Sequence, residues 1–277
     1  MKFSLTIIFT LIVFVIKGQT PEAYLKENAV KINKADSLDN SLYKLFSDFQ
    51  LIMLGEMHGT NEPAKLLIGF TELLCNNGDS VQVGLEIPAN EMTKFLSDYS
   101  DSSVYTSEFF SKKSLDGRAS FAWASIILTL KKNKKVKFFF FDTFSGSKSR
   151  DSLLYINIKK QILNNKRWKT IVLSGNIHNM VEPYKGKKTM GFYLKNDSVL
   201  NLSDKVCSLN HVYNMGTMYN NQGRGLELKQ IENRYPEYSE IVDYNNYLAL
   251  FSKNYANKYT GIFFTKYVTA SKAVTKK

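Results

Sequence analysis

The sequence predicts a single α/β domain built on a central, mainly parallel β-sheet flanked by helices. Three observations carry that expectation. Short apolar runs at 49–54, 81–85, 136–141 and 170–174 alternate with longer stretches that carry a helical apolar repeat. That order gives a parallel sheet with helices packed on its faces. The runs are apolar at nearly every position, as in strands buried on both sides. Each run also delivers polar residues where it stops: Glu56 and His58, Glu86, Asp142, and Asn176 with His178.

The chain has 277 residues, 44% of them hydrophobic and 22% charged, enough for one large core. Its start is unlike the rest. Met1-Lys2 leads into an apolar stretch at 5–16, then Lys17-Gly18-Gln19-Thr20-Pro21. A positive start, a short apolar run and a small residue before a polar stretch describe a secretory signal peptide. Residues 1–18 are therefore expected to be removed, with cleavage near Gly18 or Gln19 and export to the periplasm or the medium. The mature domain is 19–277. The apolar run falls short of the ~20 residues that span a bilayer, so no stable membrane insertion is expected after cleavage, an uncleaved anchor being the alternative. Without Lys2 and Lys17 the net charge of +12 becomes +10. The lysines are scattered in expected loops and no nucleic-acid motif accompanies them, so no nucleic-acid partner is expected. Cys75 and Cys207 leave two readings open, a disulfide in an oxidising compartment or buried free thiols.

In chain order, 21–48 reads as a helical lead-in, with Leu38, Leu42, Leu45 and Phe46 spaced for one face. The first strand covers 49–55 and its helix 62–76. Thr60 or Asn61 is the cap, Pro63 lies in the first turn, and Asn76-Asn77-Gly78 forms the stop. A second strand at 81–85 delivers Glu86, and Pro88 opens a helix to about 99. A short helix begins at Phe109-Phe110. Asp116-Gly117-Arg118 leads into a helix at 119–130. A third strand at 136–141 ends at Asp142, a helix covers 150–165, and a fourth strand at 170–174 ends in Gly175-Asn176-Ile177-His178. Further on, 190–194, 206–213 and 261–268 read as strands, and 226–255 as one or two helices.

Parallel strands joined by right-handed crossovers place their carboxyl ends on one edge, where open α/β sheets bind ligands. The expected result is a His/Glu-lined pocket combining His58, His178, Glu56, Glu86 and Asp142. Gly55 and Gly175 suit sharp turns, and Gly59 permits close approach of a ligand or another strand. Glu62 falls near His58 in the first helical turn. Arg118 offers a fixed cation for an oxyanion or a substrate carboxylate. Each residue also has a plainer reading. Glu56 and Glu86 suit helix N-termini, His178 suits a hydrogen bond to Asn176, and Arg118 suits a pair with Asp116. Asp142 and Glu62 suit a strand end and a first-turn charge. His211, inside an apolar run, is expected to be structural. Ser120 and Ser174 lack a nucleophile elbow, and the cysteines lack metal-ligand spacing.

Gly55-Glu56-Met57-His58-Gly59-Thr60 followed by Glu62 resembles the opening motif of the erythromycin esterase-like and ChaN-like superfamily, which includes the Tiki and TraB proteins. Leu85-Glu86, Asp116-Gly117-Arg118-Ala119-Ser120, Phe141-Asp142 and Gly175-Asn176-Ile177-His178 follow in the order such proteins show. The resemblance covers about residues 45–180. It implies a parallel-sheet α/β fold with a histidine- and glutamate-lined pocket that takes a small-molecule substrate or ligand. Members include esterases, metal-dependent proteases and haem binders, so three expectations stand. The first is hydrolysis of an ester or related acyl bond, with His58 as general base, Glu56 or Glu86 fixing its tautomer, and Arg118 and His178 stabilising the oxyanion. The second is a divalent metal held by His58, Glu56, Glu86 and His178. The third is haem binding without catalysis.

Overall fold

In the computed structural model, the residues described are 21–91, 100–111, 116–143, 149–221, 225–252 and 257–274. The segment expected to be a signal peptide lies outside them, as does most of the helix expected after Pro88. Among the described residues, no helix is long and apolar enough to cross a membrane.

The uniformly apolar runs form the centre of the sheet. Helix α1 (Pro21–Asn28), strand β1 (Val30–Lys31) and the short helix α2 (Tyr43–Phe46) lead in. Then follow β2 (Leu51–Glu56), α3 (Glu62–Asn76), β3 (Val81–Pro88), α4 (Asp101–Thr106), α5 (Glu108–Ser111) and α6 (Phe121–Leu130). Strand β4 (Val136–Asp142), α7 (Arg150–Asn164), β5 (Lys169–Gly175) and α8 (Met190–Lys195) come next. The chain closes with β6 (Val206–Asn221), β7 (Leu226–Ile231), α9 (Pro236–Ile241), β8 (Asn246–Leu250) and β9 (Gly261–Val268).

The strands make one mixed sheet in the order β1-β8-β9-β6-β2-β5-β3-β4, with β7 added on β6. From β9 to β4 every pairing is parallel, whereas β1–β8, β8–β9 and β6–β7 are antiparallel. The chain moves outward from β2 to β3 and β4. It then returns to lay β5 between β2 and β3, and crosses β2 to place β6 on the other side. The carboxyl ends of β2, β5, β3 and β4 are therefore consecutive along one edge, at the point where strand order reverses.

Alternation along the strands separates two cores. Ile52, Leu54, Val83, Leu85, Ile171 and Leu173 pack with Leu66, Phe70 and Leu74 of α3 and Trp123, Ile126 and Ile127 of α6. Leu51, Met53, Phe139, Phe141 and Val172 face the other way, onto Leu154, Ile158 and Ile162 of α7 and Met190 and Leu194 of α8. Each such side chain stabilises the fold by roughly 1.5–3 kcal/mol when fully buried.

Several elements differ from expectation. Residues 190–194 are helical: the Thr189 side chain accepts a hydrogen bond from the Phe192 N–H and starts a helix. A five-residue apolar run satisfies either geometry, and the cap decides. The strand expected at 206–213 continues to Asn221 because β7 pairs with its far half. Among the described residues, the 226–255 region holds β7 and β8 around one short helix, α9. The lead-in contains a strand, β1, and Leu45 points outward while Leu42 and Phe46 are buried. Pro88 is the last residue of β3 and a 3-10 turn at Ala89–Glu91 follows it, the rest of the helix expected after Pro88 lying outside the described residues. Cys75 and Cys207 are free and buried, which closes the disulfide reading.

Candidate functional site

His58 stands just past the end of β2 and His178 in the 3-10 turn after β5 (Asn176–Asn179). The two rings meet over Gly175. A Cβ placed there would lie 3.4 Å from His58 Nε2 and 3.7 Å from His178 Cδ2, so the rings are separated by no more than the sum of those distances. Both are held alike. His58 Nδ1 hydrogen-bonds Glu56 Oε1, and His178 Nδ1 lies 2.8 Å from Asp151 Oδ1. In the neutral tautomer that donates Nδ1–H to its carboxylate, each ring carries its lone pair on Nε2.

Glu56 is buried, and the Trp123 indole N–H of α6 donates to its two oxygens at 3.2 and 3.0 Å. Burial works against charging the His58 ring. The charge of Glu56 and then its hydrogen bond outweigh that, so His58 is held above its ordinary value.

Beside the histidines, Glu86 and Asp142 lie between two guanidinium groups. Arg118 Nη1 donates to Glu86 Oε1, the Glu86 carbonyl and Asp142 Oδ2, each at 2.9 Å. Its Nε and Nη2 hold Asp116 Oδ2 at 2.9 and 2.8 Å. Arg150 Nη2 donates to Glu86 Oε1 at 2.6 Å and Asp142 Oδ2 at 2.8 Å, and its Nε to Asp142 Oδ1 at 3.1 Å. Arg150 Nη1 lies 3.5 Å from His178 Nε2. Burial pushes the Glu86 carboxyl up, but Arg118 foremost, then His58, His178 and Arg150, bring it below the usual range. The Arg118 side chain is 10% exposed and that of Arg150 38%. Arg150 is thus the cation the crevice presents to solvent.

The structure brings Glu56, His58, Glu86, Arg118, Asp142 and His178 together. Glu62 is directed elsewhere: its carboxylate accepts from the Thr269 backbone N–H at 3.1 Å and from its hydroxyl at 2.6 Å. His211 is a core residue, stacked on Phe263 with Nε2 3.3 Å from Thr265 Oγ1, and burial lowers it to about 3. Sequence reasoning missed Arg150, Asp151 and Trp123. Arg150 and Asp151 open the helix after β4, a strand-to-helix turn like the others, and that position was the available signal. Trp123 carried none beyond the general need of a buried indole N–H for an acceptor.

The donor set does not fit a resident metal. Glu56 is bound to His58 and Trp123, and both Glu86 and Asp142 carry two guanidinium groups. Among the described residues, no set of three or more His, Cys, Asp or Glu is arranged to hold an ion. Haem fits no better, because guanidinium and carboxylate groups stand where an apolar slot is needed beside the imidazoles.

Fold and crevice define an α/β protein that gathers acid, base and cation at the reversal point of a mostly parallel sheet. Solved structures share this architecture. A succinoglycan biosynthesis protein superposes with a TM-score of 0.69 at 10% identity, covering 90% of this chain and 97% of its own. A protein from Bacillus cereus gives 0.67 at 10%, with 91% and 98% covered. A mutant of the erythromycin esterase EreC in its open conformation gives 0.61 at 11%, with 87% and 97% covered. No protein-family model matches the chain, and no curated protein matches it by sequence. Identities this low show a shared fold, and it is the fold that the resemblance to the erythromycin esterase-like and ChaN-like superfamily implies.

Proposed function

We propose that this protein is an exported hydrolase of the erythromycin esterase-like and ChaN-like superfamily that cleaves an ester or related acyl bond of a small molecule. The observation that carries the reading is the pair of imidazoles over Gly175, each with Nδ1 on a carboxylate and Nε2 toward the crevice. The leader-like composition of residues 1–18 supports export.

In this reading, His58 Nε2 takes a proton from water while the water oxygen attacks the acyl carbon. Glu56 holds the ring and stabilises the imidazolium that forms. The carbonyl π electrons move to oxygen, and the resulting oxyanion faces the partly exposed Arg150 guanidinium. Arg118, with its N–H groups committed to Glu86, Asp142 and Asp116, acts as a support, and His178 positions Arg150 by accepting from Nη1. As the intermediate collapses, the proton on His58 passes to the leaving alkoxide, giving acid and alcohol. A positioned general base is worth ~10²–10⁴ in rate. Turnover of aryl esters and macrolide lactones, measured for the wild type and His58→Ala, tests this. Loss of at least about a hundredfold in kcat/KM is expected, and activity unaffected by the change would sink the assignment.

A further inference from the structure

Basic residues that are scattered along the sequence are collected by the sheet. The connections that enter β4, β3, β5, β2 and β6 lie side by side on the amino edge of the parallel strands, opposite the crevice. Backbone hydrogen bonds join them into one row. The Val81 N–H donates to the Lys135 carbonyl at 2.8 Å; the Lys169 N–H donates to that of Ser80, the Thr170 N–H to that of Gln50, and the Gln50 N–H to that of Lys205, each at 2.9 Å. Five strands at ~4.8 Å spacing make the row roughly 19 Å long. Within the five connections (47–50, 77–80, 131–135, 165–169 and 203–205) stand eight Lys and Arg residues against Asp48, Asp79 and Asp204, which is +5 of the chain's net +12.

Some of these cations are fixed without being neutralised. Lys135 Nζ donates to the Cys75 carbonyl at 2.9 Å, and Lys169 Nζ to the carbonyls of Ser47 and Phe49. Beside them, Lys137 Nζ stands 4.5 Å over the Trp168 ring. A carbonyl or a ring positions an ammonium but leaves its unit charge in place. Lys131 is paired with Asp101, whereas Lys132, Lys134, Lys166, Arg167 and Lys205 are exposed. Two aliphatic side chains are exposed on segments that lead into the same row: Leu45 of α2, at 38%, ahead of β2, and Val199, at 65%, between α8 and β6.

We infer that this amino edge is a docking face for an anionic lipid surface, with lipid phosphates on the basic row and the crevice turned away from the membrane. Salt limits the reach of each exposed charge to about 8 Å, so a row longer than that acts best against an array of anions. A soluble anion would meet the ammonium groups alone. A lipid interface offers anionic and apolar groups in one layer, which suits lysines flanked by Leu45 and Val199. The inference does not depend on ester hydrolysis, and its test contains no substrate.

The full chain is sedimented with vesicles of phosphatidylcholine alone and of equal parts phosphatidylcholine and phosphatidylglycerol. Neutral vesicles measure whatever residues 1–18 contribute. Binding should be stronger to the anionic vesicles, fall with added salt, and resist inorganic phosphate at matched ionic strength. Each charge near an anionic surface is worth about fivefold in partition. Lys132→Gln, Lys134→Gln, Lys166→Gln and Arg167→Gln combined should therefore lower anionic-vesicle binding at least about a hundredfold. Lys65→Gln, Lys187→Gln, Lys188→Gln and Lys272→Gln remove the same charge from exposed positions off this edge and should cost far less. Leu45→Ser with Val199→Ser should weaken binding severalfold. Equal losses in the two lysine variants, or no preference for anionic vesicles, would overturn the inference. So would binding unchanged by the two serines, or tighter binding to a DNA duplex that the first variant abolishes.

Discussion

Glu56 is gripped from two sides, by the His58 ring and by the Trp123 indole N–H. That grip makes a prediction about pH. His58 must be neutral to act as a base, and its pKa lies above the ordinary 6.5, so kcat/KM should rise with pH along a limb displaced above that value. The sign for stability is opposite. A raised folded-state pKa contributes stability that is full below 6.5 and is lost as pH rises through the folded value. Trp123→Phe keeps an aromatic ring at this buried position but removes the N–H donated to Glu56 together with the five-membered ring that carries it. The carboxylate charge, no longer shared with that donor, should hold the imidazolium more firmly and move the limb further up. A variant that lowers Tm while leaving the limb in place would reduce Trp123 to packing. At this scale the sequence was informative about groups that end strands, since Glu56, His58, Glu86, Asp142 and His178 all occupy the crevice. It was silent about Trp123, because a tryptophan in an apolar helix reads as core, and only its neighbours show that its N–H has an acceptor.

The turn between β2 and α3 is held in place by segments remote in sequence. Gly59 has φ of +87°, and a Cβ there would lie 1.7 Å from the Tyr219 carbonyl oxygen of β6. Its own carbonyl accepts from the N–H groups of Tyr219 and Ser271 at 3.1 and 2.8 Å. Gly59→Ala combines a left-handed backbone with that collision and should cost more than about 2 kcal/mol. The midpoint of urea unfolding measures it, and an unchanged midpoint would contradict the packing described. The stretch 269–274 then laces the turn to α6. Asn61 Nδ2 and Glu62 bind Thr269, and the Phe121 N–H donates to the Lys272 carbonyl. This explains Glu62, whose first-turn position near His58 suggested a site role. The helix start was legible, but which way a carboxylate leans depends on what the C-terminal segment brings beside it.

Across the whole molecule, Cys75 and Cys207 test the arrangement of the core. Burial pushes their thiols up to about 11 and about 12, so neither should react with a thiol reagent until the chain unfolds, and a reductant should leave Tm unchanged. A fall in Tm on reduction would mean that the two are bonded. The parallel centre and its polar edge followed from local pattern, because uninterrupted apolar runs can be satisfied only by burial on both faces. Strand order, the antiparallel margin of β1, β7 and β8, and the helical state of 190–195 depended on contacts between distant segments. So did the pairing of Arg150 with Glu86 and Asp142. A short apolar run or a lone charge carries no record of its partner. Burial of the strands is encoded in their own residues, while the neighbour that meets each polar group is chosen only when the chain closes on itself.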